Sequence, residues 1–257
     1  MAKFAANLTM LFNEVPFLER FAAAKQAGFT AVEFLFPYAY DKQLLADLLS
    51  EHQLSMSLFN MYPGDWDNGE KGTAALPGRE QEFRVAAEQA LEYAIALGCN
   101  KVHAMSGIID PQFSIDLHID TFLSNLRWAA ELYAEHGIEL LIEPLNNRDV
   151  PNYFLAHQRD AAELIRQVGK PNVKLQFDTY HAQIMDGDLS RLIEELADVI
   201  GHVQIASVPE RHEPSEGELN YAHLFKVLDN HYHGFIGCEY KPRHDTQSGL
   251  NWLTQLN

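Results

Sequence analysis

Short apolar runs recur along the chain and alternate with segments of helical periodicity. The runs lie at 4–8, 31–36, 55–60, 101–105, 138–143, 173–178, 202–206 and 235–240. Most of them lack the alternating polar positions of a strand with one face in water. Runs of this kind are typical of parallel strands, which are buried on both faces. The pattern therefore predicts eight strands.

The segments between these runs repeat their apolar residues with the 3.6-residue period of an amphipathic helix. This period is clear at 17–24, 44–49, 80–97 and 115–136. Glycine stands just before six of the runs, where a helix that ends before a strand often places it, at Gly28, Gly98, Gly137, Gly169, Gly201 and Gly234. Eight strand–helix units in 257 residues predict an α/β fold, a (β/α)8 TIM barrel, as a single domain over residues 1–257. An open doubly wound sheet is the alternative.

The connections that follow the strands are longer than those that lead into them. They are 61–78, 106–114, 144–157 and 207–219. In such barrels the active site lies at the end of the barrel where the strands finish, and the loops after the strands build it. The loop at 61–78 is predicted to be a lid, because its aromatic residues favour packing over a disordered surface insertion.

Polar residues stand at or near the ends of four apolar runs. They are Glu143, Asp178, Gln204 and Glu239. A carboxylate at the edge of a core costs free energy, which a cation, a metal or a catalytic role offsets. On parallel strands these side chains would meet at one mouth of the barrel. Three carboxylates and an amide oxygen are ligands suited to one divalent metal of the Mg or Mn type.

Composition and charge limit the kinds of partner that the chain is expected to bind. The formal net charge is −17, which argues against binding to nucleic acid and means that an anionic substrate needs a local cation.

The two cysteines, Cys99 and Cys238, are predicted to be reduced core residues. The N-terminus lacks a signal-peptide pattern and no apolar stretch is long enough for a membrane span, so we expect a cytoplasmic protein without membrane contact. The sequence is compatible with a homo-oligomer.

Several segments resemble those of hydroxypyruvate isomerases. The segment GDWDNGEKGTAALPGREQEFR at 64–84 is the most specific. Further matches are ANLTMLF (6–12), VEFLFPY (32–38), LLIEPLN (140–146), QFDTYH (176–181), GHVQIA (201–206) and GCEYKP (237–242). The resemblance implies a xylose-isomerase-like barrel. It also implies that Glu143 and Glu239 are paired proton donor and acceptor, and that Glu143, Asp178, Gln204 and Glu239 hold a metal. The wider superfamily commonly has His where Gln204 stands, which favours Mg or Mn over zinc here.

The resemblance implies an isomerase of small 2-oxo hydroxy acids that works by proton transfer through an enediolate. The reaction is either hydroxypyruvate to tartronate semialdehyde or, in the 2-oxo-tetronate isomerase branch, 2-oxo-tetronate to 3-oxo-tetronate, and the motifs do not separate the two. A ketose 3-epimerase on the same barrel is the main alternative. An apurinic endonuclease-like nuclease is a further one, but the net charge and Gln204 argue against it. A catalytically silent binding protein is disfavoured because both glutamates are present.

Other residues are candidates for the small-molecule carboxylate substrate. His181, three residues after Asp178, would orient a substrate oxygen or else bond to backbone in a first helical turn. Arg211 is a candidate for the substrate carboxylate, with a solvated surface arginine as the alternative. Further candidates are Trp66 as apolar cover, Lys241 and, more weakly, Arg148. His103 is predicted to be a core histidine with satisfied nitrogens, and Glu33 a supporting partner of the site.

Overall fold

A closed barrel of eight parallel strands forms the centre of the protein in the computed structural model, which describes residues 2–256. The strands are β1 (Lys3–Asn7), β2 (Ala31–Phe34), β3 (Ser55–Asn60), β4 (Lys101–His103), β5 (Glu139–Ile142), β6 (Val173–Asp178), β7 (Ile200–Ile205) and β8 (Phe235–Cys238). Each pairs with the next in chain order, and β1 pairs with β8 to close the barrel. The predicted (β/α)8 barrel is confirmed, and the doubly wound alternative is wrong.

Helices connect the strands and cover the outside of the barrel. They are α1 (Arg20–Gln26), α2 (Lys42–Glu51), α3 (Glu80–Leu97), α4 (Ile115–Ala134), α5 (Gln158–Val168), α6 (Thr179–Met185), α7 (Leu189–Leu196), α8 (Tyr221–His231), α9 (Thr246–Gly249) and α10 (Trp252–Gln255). Short 3-10 turns precede α1 at Phe17–Glu19 and lie in the loop after β3 at Trp66–Asn68. No helix within residues 2–256 is long and apolar enough to cross a membrane.

The glycines before the strands have two different roles. Gly28, Gly98, Gly137 and Gly169 have the positive φ expected after a helix. Gly201 instead lies inside β7, where an added Cβ would stand 2.5 Å from the Cβ of Lys174 on β6. The prediction that Gly201 ends a helix is therefore wrong, because close approach of neighbouring strands is what requires glycine there.

The strand register places the polar residues at one end of the barrel. Asp178, the last residue of β6, pairs with Gln204 near the end of β7, and Gln204 pairs with Gly237 on β8. Glu143 directly follows β5 and Glu239 directly follows β8. All four side chains are buried at the mouth where the strands end. Cys99 and Cys238 are free and buried, as predicted.

Candidate active site

Arg211 holds two of the mouth carboxylates. Its Nη2 donates to Glu239 Oε2 at 2.8 Å and to Asp178 Oδ2 at 3.4 Å. The guanidinium also lies 4.8 Å above the ring of Tyr180. Its Nε is buried and has no hydrogen-bond partner within residues 2–256, so one N–H of this side chain is left for a ligand. The prediction of a solvated surface arginine is wrong.

The backbone at Arg211 is held in an unusual conformation. Its φ is 59°, in the left-handed region that few residues other than glycine occupy. Its backbone N–H donates to the carbonyl of Ser207, and its carbonyl accepts from the N–H of Lys241 at 2.7 Å. Non-glycine residues in this region cost free energy and cluster at functional sites. The loop after β7 therefore holds the backbone of Arg211 in a conformation that places its side chain in the mouth.

The mouth holds more carboxyl groups than cationic side chains, and the pKa values reflect this. Burial raises the pKa of Glu143 well above its usual range, and the nearby Glu239 and Asp178 raise it further. Burial likewise raises the pKa of Glu239 to about 8 and that of Asp178 to about 6, although Arg211 opposes both shifts. One guanidinium thus does not balance three buried carboxyl groups.

His181 lies among these groups as a hydrogen-bond donor. Its Nδ1 accepts from the backbone N–H of Asn146 at 3.0 Å. A backbone N–H can only donate, so the proton of the neutral ring sits on Nε2. Burial lowers the pKa of His181 well below its usual value, so the ring is neutral. Its Nε2 lies 3.6 Å from Asp178 Oδ2, while the residue stands in the first turn of α6 with its Nδ1 bonded to backbone, so both predicted positions of His181 hold together.

His103 differs from its prediction as a satisfied core histidine. It is fully buried on β4, but neither ring nitrogen has a hydrogen-bond partner among residues 2–256. Its Nδ1 stands 3.7 Å from Glu143 Oε2, and Glu143 Oε1 is also buried without a partner. Burial lowers the pKa of His103 to about 3. The sequence concealed this because only the barrel register shows where the ring points.

A buried polar layer centred on Glu33 lies next to the mouth. The Glu33 carboxylate accepts from His202 Nε2 at 2.8 Å, Gln204 Nε2 at 2.7 Å and Asn7 Nδ2 at 3.1 Å. Gly237 leaves room for it, since an added Cβ there would stand 2.3 Å from Glu33 Oε1. Asn7 Nδ2 also reaches Glu239 Oε1 at 3.4 Å. The prediction that Glu33 supports the site is confirmed, whereas sequence reasoning missed Asn7 and His202.

Gln204 is fixed by hydrogen bonds at both ends of its amide. Its Nε2 donates to Glu33, and its Oε1 accepts from Gln176 Nε2 at 2.6 Å. The carboxylate of Glu33 sets the orientation of the amide, because it can only accept. An amide oxygen has two lone pairs, so Oε1 keeps one for a further ligand.

The remaining predicted substrate residues lie further from these carboxylates. Trp66 is 38% exposed in the loop after β3 and packs against Phe36, with ring centroids 4.9 Å apart. The Lys241 side chain is exposed and makes no ion pair within residues 2–256, while its backbone N–H supports Arg211. Arg148 is exposed as well. The structure thus brings His181 and Arg211 to the mouth carboxylates but not the side chains of Lys241 or Arg148.

The residues at the mouth fit a divalent cation. Ligand atoms of Glu143, Asp178 and His181 lie within 4.8 Å of one another. The excess of buried carboxylates and the unpartnered Glu143 Oε1 both favour a cation. His181 is the exception in this group, because its Nε2 carries the proton and has no lone pair for a metal. The oxygen donors that remain are of the hard type that Mg and Mn prefer.

Comparisons with known proteins agree with this geometry. The pattern of the xylose isomerase-like TIM barrel family matches residues 21–256. The chain is 51% identical to a 2-oxo-tetronate isomerase from Pectobacterium atrosepticum, over 98% of this chain and 97% of that protein. It is 47% identical to the hydroxypyruvate isomerase of Escherichia coli, over 98% of each chain. A crystal structure described as AP endonuclease, family 2 from Brucella melitensis is similar with a TM-score of 0.98 and 56% identity, over 99% of each chain.

The family match covers most of the chain, and the similarity to the isomerases extends over nearly its full length. The barrel and the arrangement of acidic residues at its mouth are those that the sequence predicts. The chain belongs to the xylose isomerase-like TIM barrel family.

Proposed function

We propose that the protein is an isomerase of small 2-oxo hydroxy acids of three or four carbons. The observation that carries this proposal is the pair of buried glutamates, Glu143 and Glu239, at one mouth of the barrel. Relatives about 50% identical over nearly the whole chain are named for these activities.

Two carboxyl groups supply the proton transfers that this reaction needs. With hydroxypyruvate, one glutamate as the carboxylate takes a proton from C3, and the C2 carbonyl oxygen gains a proton, which gives an enediol-type intermediate. The other glutamate, as the carboxylic acid, delivers a proton to C2 while the hydroxyl proton on the C3 oxygen leaves. The product is tartronate semialdehyde, and the two glutamates return to their starting states through exchange with solvent.

Two buried N–H donors face the groups that the substrate would meet. His181 carries its proton on Nε2, and Arg211 keeps an unpartnered Nε–H. These donors suit the oxygens that gain negative charge as the enediolate forms. Arg211 is also the candidate for the substrate carboxylate, because it is the cation that lies among the mouth residues.

Glu143, Asp178, Gln204 and Glu239 would hold one divalent metal, Mg or Mn. Their oxygens are hard donors, and Arg211 alone would not balance the charge of these carboxyl groups once all of them are ionised. Such a cation stabilises negative charge on substrate oxygens when it is bound. Among the proposed ligands, Gln204 is held in its orientation through Glu33.

A nuclease is less well supported, although one similar crystal structure is described as an AP endonuclease. Within residues 2–256, the group that could hold a metal consists of Glu143, Asp178 and His181. It contains a single histidine, and the ring of that histidine is oriented as a donor. The net charge of −17 also opposes a DNA backbone. A ketose epimerase would use the same two glutamates, so the substrate carboxylate distinguishes it from the proposed function.

An NMR assay in D2O tests the proposal. The purified protein with Mg or Mn is incubated separately with hydroxypyruvate, 2-oxo-tetronate and a free ketohexose. We expect conversion of at least one of the two acids, with solvent deuterium at C2 of the product, because a second carboxyl group delivers that proton. Conversion of the ketohexose alone would establish the epimerase alternative. Failure to convert any of the three would overturn the proposal.

A further inference from the structure

His103 is the most unusual histidine in the barrel. It is fully buried, and neither of its ring nitrogens has a hydrogen-bond partner among residues 2–256. Burying a polar group without a partner costs free energy. By contrast, His118 is equally buried and has a backbone carbonyl oxygen 2.6 Å from Nδ1 and another 3.1 Å from Nε2. An unsatisfied imidazole beside proposed catalytic groups calls for a functional explanation.

The register of the barrel places His103 beside Glu143. His103 on β4 pairs with Leu141 on β5, and Glu143 follows two residues later, on the same side of the chain as Leu141. His103 Nδ1 lies 3.7 Å from Glu143 Oε2. A small movement brings these atoms to hydrogen-bond distance, and such contacts often tighten only when substrate binds.

The carboxylate also sets the tautomer of the ring. A neutral imidazole carries one N–H, and its proton resides on the nitrogen that has an acceptor nearby. At His103 that acceptor is Glu143 Oε2 next to Nδ1 when Glu143 is ionised, as it is when it acts as the base or holds a cation, while Nε2 has no partner among residues 2–256. On this basis we propose that His103 is a positioning residue for Glu143, which it holds by donating its Nδ1–H to Oε2. This inference rests on the proposed function, because it assigns a partner to one of the two proton-transfer groups.

Two substitutions separate positioning from a packing role. In His103→Asn the side-chain amide places an N–H near the position of Nδ1, whereas His103→Leu removes every donor and keeps a similar volume. We expect His103→Leu to lower kcat about 10- to 100-fold with KM changed less than about threefold, since His103 orients Glu143 and does not bind substrate. We expect His103→Asn to recover most of that loss.

The melting temperature distinguishes His103 from His118, a buried histidine with a structural role. His103→Leu removes a buried group whose bonding is unsatisfied, so its melting temperature should stay within a few degrees of the unmodified protein. His118→Leu is the matched control, and it should melt lower because it removes the ring whose Nδ1 lies 2.6 Å from the buried carbonyl oxygen of Ala75. Unchanged turnover in His103→Leu, or equal turnover of the Asn and Leu variants at full folding, would overturn the proposal.

A second readout is independent of turnover. Nitrogen-15 NMR of the histidine rings, with His103 assigned from its loss in His103→Leu, should show a protonated Nδ1 and an unprotonated Nε2. In Glu143→Leu the acceptor is gone, and the tautomer should shift away from Nδ1–H. A ring protonated on Nε2 in the unmodified protein would refute the inference even if the isomerase activity is present. Lack of activity toward both acids would refute the proposed function and leave this measurement valid.

Discussion

Two buried glutamates carry the proposed proton transfers, and glutamine replaces each with little change in shape. We expect Glu143→Gln and Glu239→Gln each to lower turnover about 10²-fold or more, because an amide neither accepts nor delivers the proton. Steady-state kinetics on the converted acid measures this, and circular dichroism reports folding. Glu213→Gln is the control, since Glu213 is buried but bonds to the backbone N–H of Arg243. Near-normal turnover in either active-site variant would exclude the two-glutamate mechanism.

Arg211 has two roles at the residue scale, because it both pairs with Glu239 and offers Nε–H to a ligand. We expect Arg211→Ala to reduce kcat/KM for the acid by about 10²-fold or more, since loss of one partner leaves buried carboxylates without their cation. Compared with Arg211→Ala, Arg211→Lys should recover part of the lost kcat. Its KM for the acid should stay raised, because lysine lacks the planar fork that binds a carboxylate. Arg243→Ala, which removes a half-exposed arginine paired with Glu216, should be neutral. An unchanged KM for the acid in Arg211→Ala would exclude Arg211 as the carboxylate ligand.

At the scale of elements, the loop 61–78 divides into a fixed part and an exposed part. Gly72 forms a bridge with Ser106 and lies so close to the Met105 carbonyl that no Cβ would fit, so it anchors the loop and does not serve as a hinge. The N–H of Ala75 donates to the carbonyl of Ser106 at 2.8 Å. The segment 62–71 contains Trp66, and Lys71 Nζ lies 3.4 Å from its ring centroid. A cavity of about 790 Å³ lies between this loop and α3.

We predict that the segment 62–71 closes over bound substrate. Loop closure keeps water from a reactive enediolate, and the loop begins where β3 ends at the mouth. Trp66→Ala should therefore raise KM for the acid or lower kcat several-fold. An enediolate analogue should change the fluorescence of Trp66 and slow proteolysis within 62–71. Trp128→Phe is the control, because Trp128 lies on α4. Equal proteolysis with and without the analogue would indicate that this loop is a surface insertion and does not close over substrate.

The sequence predicted elements better than it predicted contacts. Eight apolar runs were enough for the barrel, since period and spacing are local properties. Polar residues at strand ends indicated the mouth, because parallel strands finish at the same end of the barrel. The tautomer of His181 and the unsatisfied ring of His103 depend on residues 35 to 40 positions away in the chain. Such relations arise only from tertiary packing, and no local pattern specifies them.

At the scale of the whole molecule, the mouth holds more buried carboxyl groups than cationic side chains. Three buried carboxyl groups share one guanidinium, and Glu33 adds a further buried acid nearby. We expect removal of divalent metal with a chelator to lower activity, and Mg or Mn to restore it. Metal analysis of the purified protein checks occupancy directly. Full activity in a preparation verified as free of metal would contradict the metal proposal and leave hydrogen bonding alone to stabilise the enediolate.

The same charge imbalance predicts how metal-free stability depends on pH. The pKa of Glu239 is about 8 when folded, and that of an ordinary glutamate is near 4.3. Between these values the folded state binds more protons than the unfolded state, so stability falls as pH rises. The buried histidines with lowered pKa values act in the opposite direction, but only below about pH 6.5. The chelated protein should therefore melt at lower temperature as the pH rises from 7 to 8.

Bound metal should remove most of this slope, because a cation stabilises the ionised carboxylates and competes with their protons. The stabilisation by Mg or Mn is then larger at pH 8 than at pH 7. Glu239→Gln lacks one of the titrating groups, so its chelated form should melt with a shallower dependence on pH. Glu213→Gln should keep the full slope, since Glu213 lies outside the proposed metal ligands. A flat melting curve for the chelated protein from pH 7 to 8, or the same slope in Glu239→Gln, would show that the mouth carboxylates hold no excess protons and need no further cation.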